Sequence, residues 1–121
     1  MYAVENIDTC MRSSRAVFWG GLAAVTVLSL LPASYLPPVA FDLWDKAQHA
    51  FAYAGLALAG LIGWRERRAW LVIGLLCHAA AIELAQALLT WRTGDVLDWA
   101  ADAIGVTLVW VVLRAQRARR N

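Results

Sequence analysis

Charged side chains are scarce in this sequence: Asp, Glu, Lys and Arg together make up 17% of its 121 residues, against about 25% in an ordinary soluble domain. That shortage argues against a globule covered by water on all sides. The two cysteines, Cys10 and Cys77, stand far apart, one ahead of the first apolar run and one inside a later run. Without a Cys-x-x-Cys spacing they suggest neither a disulfide framework nor a thiolate metal site. No segment alternates polar and apolar residues, which excludes membrane-spanning strands. There is no internal repeat of the kind that alternating-access transporters carry. The net charge of +2 is small, and nucleic-acid binding is not expected from it.

What is present in abundance is apolar surface: 61% of residues are hydrophobic, and seven are Trp, the residue that gathers where membranes meet water. Four apolar segments stand out, over residues 16–36, 47–64, 69–90 and 96–113. Each approaches the roughly 20 residues needed to cross a bilayer, the second and fourth being shortest. An isolated span must satisfy its own backbone, so helices are predicted. The first segment, closed by Pro37-Pro38, is long for a signal-peptide core and is read as a retained span. Met11 offers an alternative start, which would leave residues 1–10 disordered or absent.

The arginines orient these spans. Arg12 and Arg15 precede the first, Arg65, Arg67 and Arg68 separate the second from the third, and Arg114, Arg117, Arg119 and Arg120 follow the fourth. With four spans these three regions share one side, which the positive-inside rule makes cytoplasmic. The expected fold is therefore all-α: an integral membrane four-helix bundle, up-down-up-down, with both termini inside. Residues 1–15 form a cytoplasmic N-terminal segment, 16–113 the membrane domain and 114–121 a basic cytoplasmic tail that meets anionic lipid headgroups. Short loops suggest that consecutive helices are antiparallel neighbours. Gly55, Ala59 and Gly63 recur every fourth residue, a stripe that allows helices to approach closely; Gly74 and Gly105 are expected to act alike.

Given that topology, most remaining polar residues converge on the extracytoplasmic end. They are Asp42, Asp45, Lys46, Gln48, His49 and Tyr53 around the start of the second span, Glu83 and Gln86 near the end of the third, and Arg92, Asp95, Asp98 and Asp102 entering the fourth. Lys46 and His49 share a helix face, as do His49 and Tyr53; Asp95, Asp98 and Asp102 fall at i, i+3 and i+7. An ionisable group in a membrane costs about 2.5–3.5 kcal/mol on insertion scales, so such groups face the bundle interior and pair. A binding site formed by Asp45, Lys46, His49, Tyr53, Glu83, Gln86, Arg92, Asp95, Asp98 and Asp102 is the working hypothesis.

Plainer roles compete. Asp45 with Gln48, and Asp95 with Asp98, have the spacing of helix N-terminal caps. Lys46 can snorkel or balance its acidic neighbours. Tyr53 suits a structural hydrogen bond, and His78, at intermediate depth, a hydrogen-bonded core histidine. Glu83 sits too far inside its span to be a cap, and His49 and Asp102 lie beyond the first residues of their helices; a structural ion-pair network is the alternative for all three. Trp44, Trp91 and Trp99 either anchor at the interface or stack on sugars.

The pattern Asp45-Lys46-x-x-His49-x-x-x-Tyr53, then Glu83-x-x-Gln86, then Arg92 with Asp98-x-x-x-Asp102-x-x-Gly105, resembles the signature of the VanZ-like family over about residues 30–110. The resemblance implies a bacterial cell-envelope membrane protein in a family associated with low-level teicoplanin resistance, and leaves its molecular activity open. Where the family commonly has Asn this chain has Asp102, which makes the cluster more acidic, better suited to a metal, or able to hold a proton.

Three functions follow. The first is recognition of an envelope glycolipid, glycopeptide or lipid-linked precursor, whose hydroxyls and amides suit carboxylate and amide side chains. The second is an intramembrane hydrolase or transferase, metal-assisted or acid-base, with His49, Glu83, Asp98 and Asp102 as catalytic candidates. No Ser or Cys nucleophile accompanies them, Ser34 having no evident partners. No compact ligand motif specifies a cofactor, although a His with three carboxylates can hold a divalent metal. The third is a structural or partner-binding role. Membrane lipids are expected neighbours in every case, and the oligomeric state is left open.

Overall fold

Leu31-Pro32 ends the first helix, because the residue before a proline is disfavoured in the α region. In the computed structural model, which describes residues 2–36 and 42–120, α1 accordingly runs Tyr2–Leu30 and a single 3₁₀ turn follows at Ala33–Tyr35. Helix α2 covers Asp42–Gly63, α3 Arg68–Leu88 and α4 Val96–Ala118. The chain is all-helical among the described residues. Pro37 and Pro38, and the side chains of Asp42 and Trp44, lie outside the description.

Several boundaries differ from expectation. The N-terminal segment continues α1 as helix from Tyr2. Helix α4 likewise continues through the basic tail as far as Ala118. Nothing in Arg114-Ala115-Gln116-Arg117 breaks a helix, and Arg suits a helix C-terminus. Helix α2 starts at Asp42, five residues ahead of its apolar stretch.

Three of the helices are long and apolar enough to cross a membrane, over residues 5–30, 68–88 and 96–118. Helix α2 falls short because its first two turns carry Asp45, Lys46, Gln48 and His49. The outer surface has the character lipid demands: Trp19, Trp70, Leu84, Leu88, Ile104 and Leu108 are all exposed. Exposed apolar side chains on three helices that could cross a membrane are consistent with a multi-pass membrane protein.

The core is small. Phe18 from α1, Tyr53, Leu56 and Ala57 from α2, Leu75 and Ala79 from α3, and Val106 from α4 form one buried cluster. The most extensive packing joins α2 to α4, which are not consecutive, while α2 and α3 touch only lightly. The consecutive pairs α1–α2 and α3–α4 are neighbours as expected, but the α2–α4 contact exceeds both. Gly105 explains the closeness: a Cβ there would run into the backbone oxygen of Ala50, with the Ala50 carbonyl carbon 3.0 Å and the Ala54 nitrogen 3.1 Å away.

The small-residue stripe behaves less uniformly. Gly63 packs on Arg15, but Gly55 and Gly74 meet nothing within 4 Å among the described residues. Gly60, which the four-residue spacing passes over, lies against Leu71 and Phe18 instead.

Polar contacts fasten α1. At mid-helix Arg15 Nε donates to the Gly63 carbonyl at 2.8 Å, and its guanidinium lies 5.4 Å from the Trp64 ring centre. A cation at the last carbonyls of α2 complements the negative end of that helix. Nearer the C-terminal end of α1, Thr26 and Tyr53 are joined through His78, whose Nε2 lies 2.9 Å from Thr26 Oγ1 and whose Nδ1 lies 2.9 Å from the Tyr53 hydroxyl. The Thr26 hydroxyl donates to the Leu22 carbonyl at 2.8 Å. It must therefore accept from His78 Nε2–H, which leaves Nδ1 to accept from Tyr53. Every donor has one acceptor when this imidazole is neutral. Both Tyr53 and His78 thus have the structural hydrogen-bonding role considered for them.

Candidate functional site

The polar cluster starts from a helix cap. Asp95 precedes α4 in extended conformation, and its Oδ1 accepts from the Leu97 N–H at 2.8 Å. The capping role weighed for Asp95 is present. With α4 started there, Asp98 and Asp102 follow along the face turned towards α2, and both are buried.

Because Gly105 lets α2 and α4 approach, residues at the start of α2 reach this acidic stripe. Lys46 Nζ lies 2.9 Å from Asp95 Oδ2 and 2.9 Å from Asp98 Oδ1. One turn deeper, His49 Nδ1 lies 3.1 Å from Asp102 Oδ1, and its Nε2 lies 3.9 Å from Asp98 Oδ2. Lys46 therefore bridges two carboxylates instead of snorkelling away from them. Asp95 and Lys46 both lie outside the apolar stretches. Lys46 pulls Asp95 below its ordinary carboxylate value, with the Leu97 N–H adding to the effect. Asp98 first, and Asp95 second, raise the Lys46 amine above its own.

Glu83 enters from α3. Its Oε2 accepts the Asp95 N–H at 2.7 Å, tying the residue that caps α4 to α3. Gly94 permits the approach, since a Cβ there would meet the Glu83 carbonyl oxygen. The other oxygen of Glu83, Oε1, is buried and has no hydrogen-bond partner among the described residues; the same holds for Asp102 Oδ2. Two groups of donors lie close enough to share an ion, each with atoms within 4.8 Å of one another: Asp45, His49 and Asp98, and His49, Glu83 and Asp102.

Asp45 is half-buried within α2 and does not cap it, because the helix begins three residues earlier. Gln86 and Arg92 do not join the cluster through their assigned bonds. Gln86 Nε2 donates to the Ser29 carbonyl at 2.9 Å and Arg92 Nη2 to the Leu28 carbonyl at 3.0 Å. With Trp91 Nε1 on the Leu30 carbonyl at 3.2 Å, three side chains satisfy the last carbonyls of α1, which have no partner within their own helix. Trp99 likewise donates to the Leu76 carbonyl, at 3.2 Å. Thr26, which binds His78, was not singled out from sequence; a lone threonine in an apolar helix is a weak signal, since it commonly bonds the preceding turn.

Replacement of buried Gln86 by Ala is expected to destabilise the protein by about 1–2 kcal/mol. Hydrogen exchange should rise at the end of α1 while the α2–α4 contact stays protected. Unchanged exchange at residues 28–31 would show that the amide does not hold this helix end.

The polar cluster thus contains Lys46, His49, Glu83, Asp45, Asp95, Asp98 and Asp102, graded from rim to interior. Side-chain exposure falls from 42% at Asp95 and 28% at Lys46 to 1% at Asp102. Comparison of the chain with protein-family models, with curated proteins and with solved structures gave no match.

Proposed function

We propose that this chain is a VanZ-like, multi-pass protein of the bacterial cytoplasmic (inner) membrane. In this reading its polar cluster binds an envelope glycolipid, glycopeptide or lipid-linked precursor at the extracytoplasmic face. One observation carries the binding reading: a column of polar side chains descends from an accessible rim into the helices and ends in two carboxyl groups with an unpartnered oxygen each. Buried polar atoms are ordinarily satisfied, and exceptions call for an explanation. Hydroxyl and amide donors of a sugar or peptide headgroup would supply the missing partners.

The membrane topology belongs to the same proposal. Four crossings, up-down-up-down, place both termini in the cytoplasm. Support comes from the nine arginines of the termini and the α2–α3 connection, which this topology puts on one side. It also comes from the contacts that gather the ends of α1 and α3 with the starts of α2 and α4. Among the described residues, helix α2 lacks the long apolar stretch that the other three helices have, and its polar turns are spent in the column. A part in glycopeptide resistance, including resistance to teicoplanin, is what the family resemblance implies for this reading.

A second reading, an acid-base or metal-assisted hydrolase or transferase, is favoured by the 3.1 Å contact between His49 and Asp102. An imidazole oriented by a carboxylate is a common arrangement for proton transfer. A purely structural network would instead leave the column without any ligand.

Native mass spectrometry of protein extracted in mild detergent separates these readings. The wild type is expected to carry a glycosylated or lipid-linked adduct that is absent from a folded Glu83→Gln variant, whose amide oxygen can still accept the Asp95 N–H. A wild-type protein bearing only bulk phospholipid would overturn the binding assignment.

A further inference from the structure

We propose that His49, Glu83 and Asp102 bind a divalent metal cation. This shares the column with the reading above and rests on its being a site, but it needs no lipid ligand. The argument begins with charge. Asp45, Glu83, Asp95, Asp98 and Asp102 place five carboxyl side chains around one amine, Lys46, and one imidazole, His49. Lys46 is already engaged with Asp95 and Asp98 at the rim, so the interior carboxyl groups face only His49.

The second observation is independent of composition. Glu83 is 9% exposed and Asp102 1% exposed, and each has a buried oxygen with no partner among the described residues. Those two residues belong, with His49, to a single group whose ligand atoms lie within 4.8 Å of one another. With metal–ligand bonds of about 2.2 Å, two donors on one ion lie no more than about 4.4 Å apart. Atoms within 4.8 Å are at most about 0.4 Å beyond that limit.

The overlapping group of Asp45, His49 and Asp98 is the weaker choice. Neither Asp45 nor Asp98 has a buried oxygen lacking a partner, and Asp98 is paired with Lys46. The imidazole is also well placed for ligation. With Asp102 and the ion on the Nδ1 side, Nε2 faces the carboxylate of Asp98, whose Oδ2 lies 3.9 Å away. A carboxylate behind a ligating histidine fixes its orientation and raises its basicity. One imidazole with carboxylates suits Zn²⁺ or Mn²⁺, whereas Mg²⁺ and Ca²⁺ favour all-oxygen sites.

Protein stripped with a chelator, in mild detergent without added lipid, is titrated with Mn²⁺ alone and followed by electron paramagnetic resonance and calorimetry. Mn²⁺ is chosen because it has little preference for the exposed thiols of Cys10 and Cys77. One ion per chain is expected, with affinity falling at least tenfold in folded His49→Ala and Asp102→Asn variants and unchanged in Asp8→Asn, a change at an exposed residue in the N-terminal part of α1. Should Asp102→Asn fail to fold, Glu83→Gln gives the same reading. The proposal is overturned if folded wild type takes up neither Mn²⁺ nor Zn²⁺, or if a folded Asp102→Asn or Glu83→Gln variant binds as wild type does. Metal uptake without a glycosylated adduct would remove only the headgroup assignment, and an adduct without metal uptake only the cation site.

Discussion

Gly105→Ala is expected to lower stability by about 3 kcal/mol, at the upper end of the usual cost of overpacking, and Gly105→Val by more. The reason lies in the backbone. The added carbon meets the carbonyl of Ala50 and the nitrogen of Ala54, and neither can rotate away as the end of a flexible side chain would. Helices α2 and α4 must separate, and with them Lys46 and His49 withdraw from Asp95, Asp98 and Asp102. The effect should be visible in two ways: a lower thermal midpoint in detergent and loss of any ligand held by the column. Gly55→Ala provides the contrast. Nothing lies within 4 Å of its added carbon among the described residues, and exchanging Gly for Ala in a helix gains about 0.5–1 kcal/mol. Equal stabilisation by both substitutions would mean that helix propensity, and not the α2–α4 approach, governs the result.

Removing His49 is the second large change. Its side chain is 17% exposed and that of Asp102 1%, so His49→Ala strands a buried carboxyl group without its nearest partner. Breaking a buried pair from one side costs about 3–5 kcal/mol. Asp102→Ala strands the imidazole instead, and the double variant strands neither. The double-mutant cycle, run by reversible unfolding in detergent with chelator present, should therefore give a coupling energy within the usual range of about 0.5–3 kcal/mol. Simple additivity of the two losses would show that the 3.1 Å contact has no energetic content.

Much of this arrangement was legible in residue spacing. Asp95, Asp98 and Asp102 repeat along one helix face, Lys46 and His49 along another, and the cost of burying them requires that such faces meet. Glu83 was recognisable because it lies too deep in its helix to be a cap. Spacing within one helix does not specify a partner on another, however. Gln86 and Arg92 occur beside the cluster in sequence, yet they turn to the carbonyls of Leu28 and Ser29, because α1 also ends there. The dominance of α2–α4 packing was equally hidden. It depends on which glycine meets a backbone, and Gly55, Gly60, Gly63 and Gly105 look alike until the helices are assembled. The cap spacing of Asp45 is misleading because helix α2 begins at Asp42 in a polar stretch, ahead of the apolar residues that mark a span.

The fastening of α1 has a consequence for assembly. Between lipid-facing helices there is little hydrophobic force to draw surfaces together, since acyl chains solvate leucine as well as a neighbouring helix does. Little of the apolar length of α1 is buried. Its attachment instead relies on Arg15 at mid-helix, on Thr26 and on the carbonyls of Leu28, Ser29 and Leu30 at its C-terminal end. Such bonds are directional. Turning the helix by one residue, about 100°, would take Thr26 away from His78, and sliding it by one turn would misplace the Arg15 contact. The first helix is therefore keyed in rotation and depth by a few hydrogen bonds, so its docking specificity greatly exceeds what its buried area alone would provide.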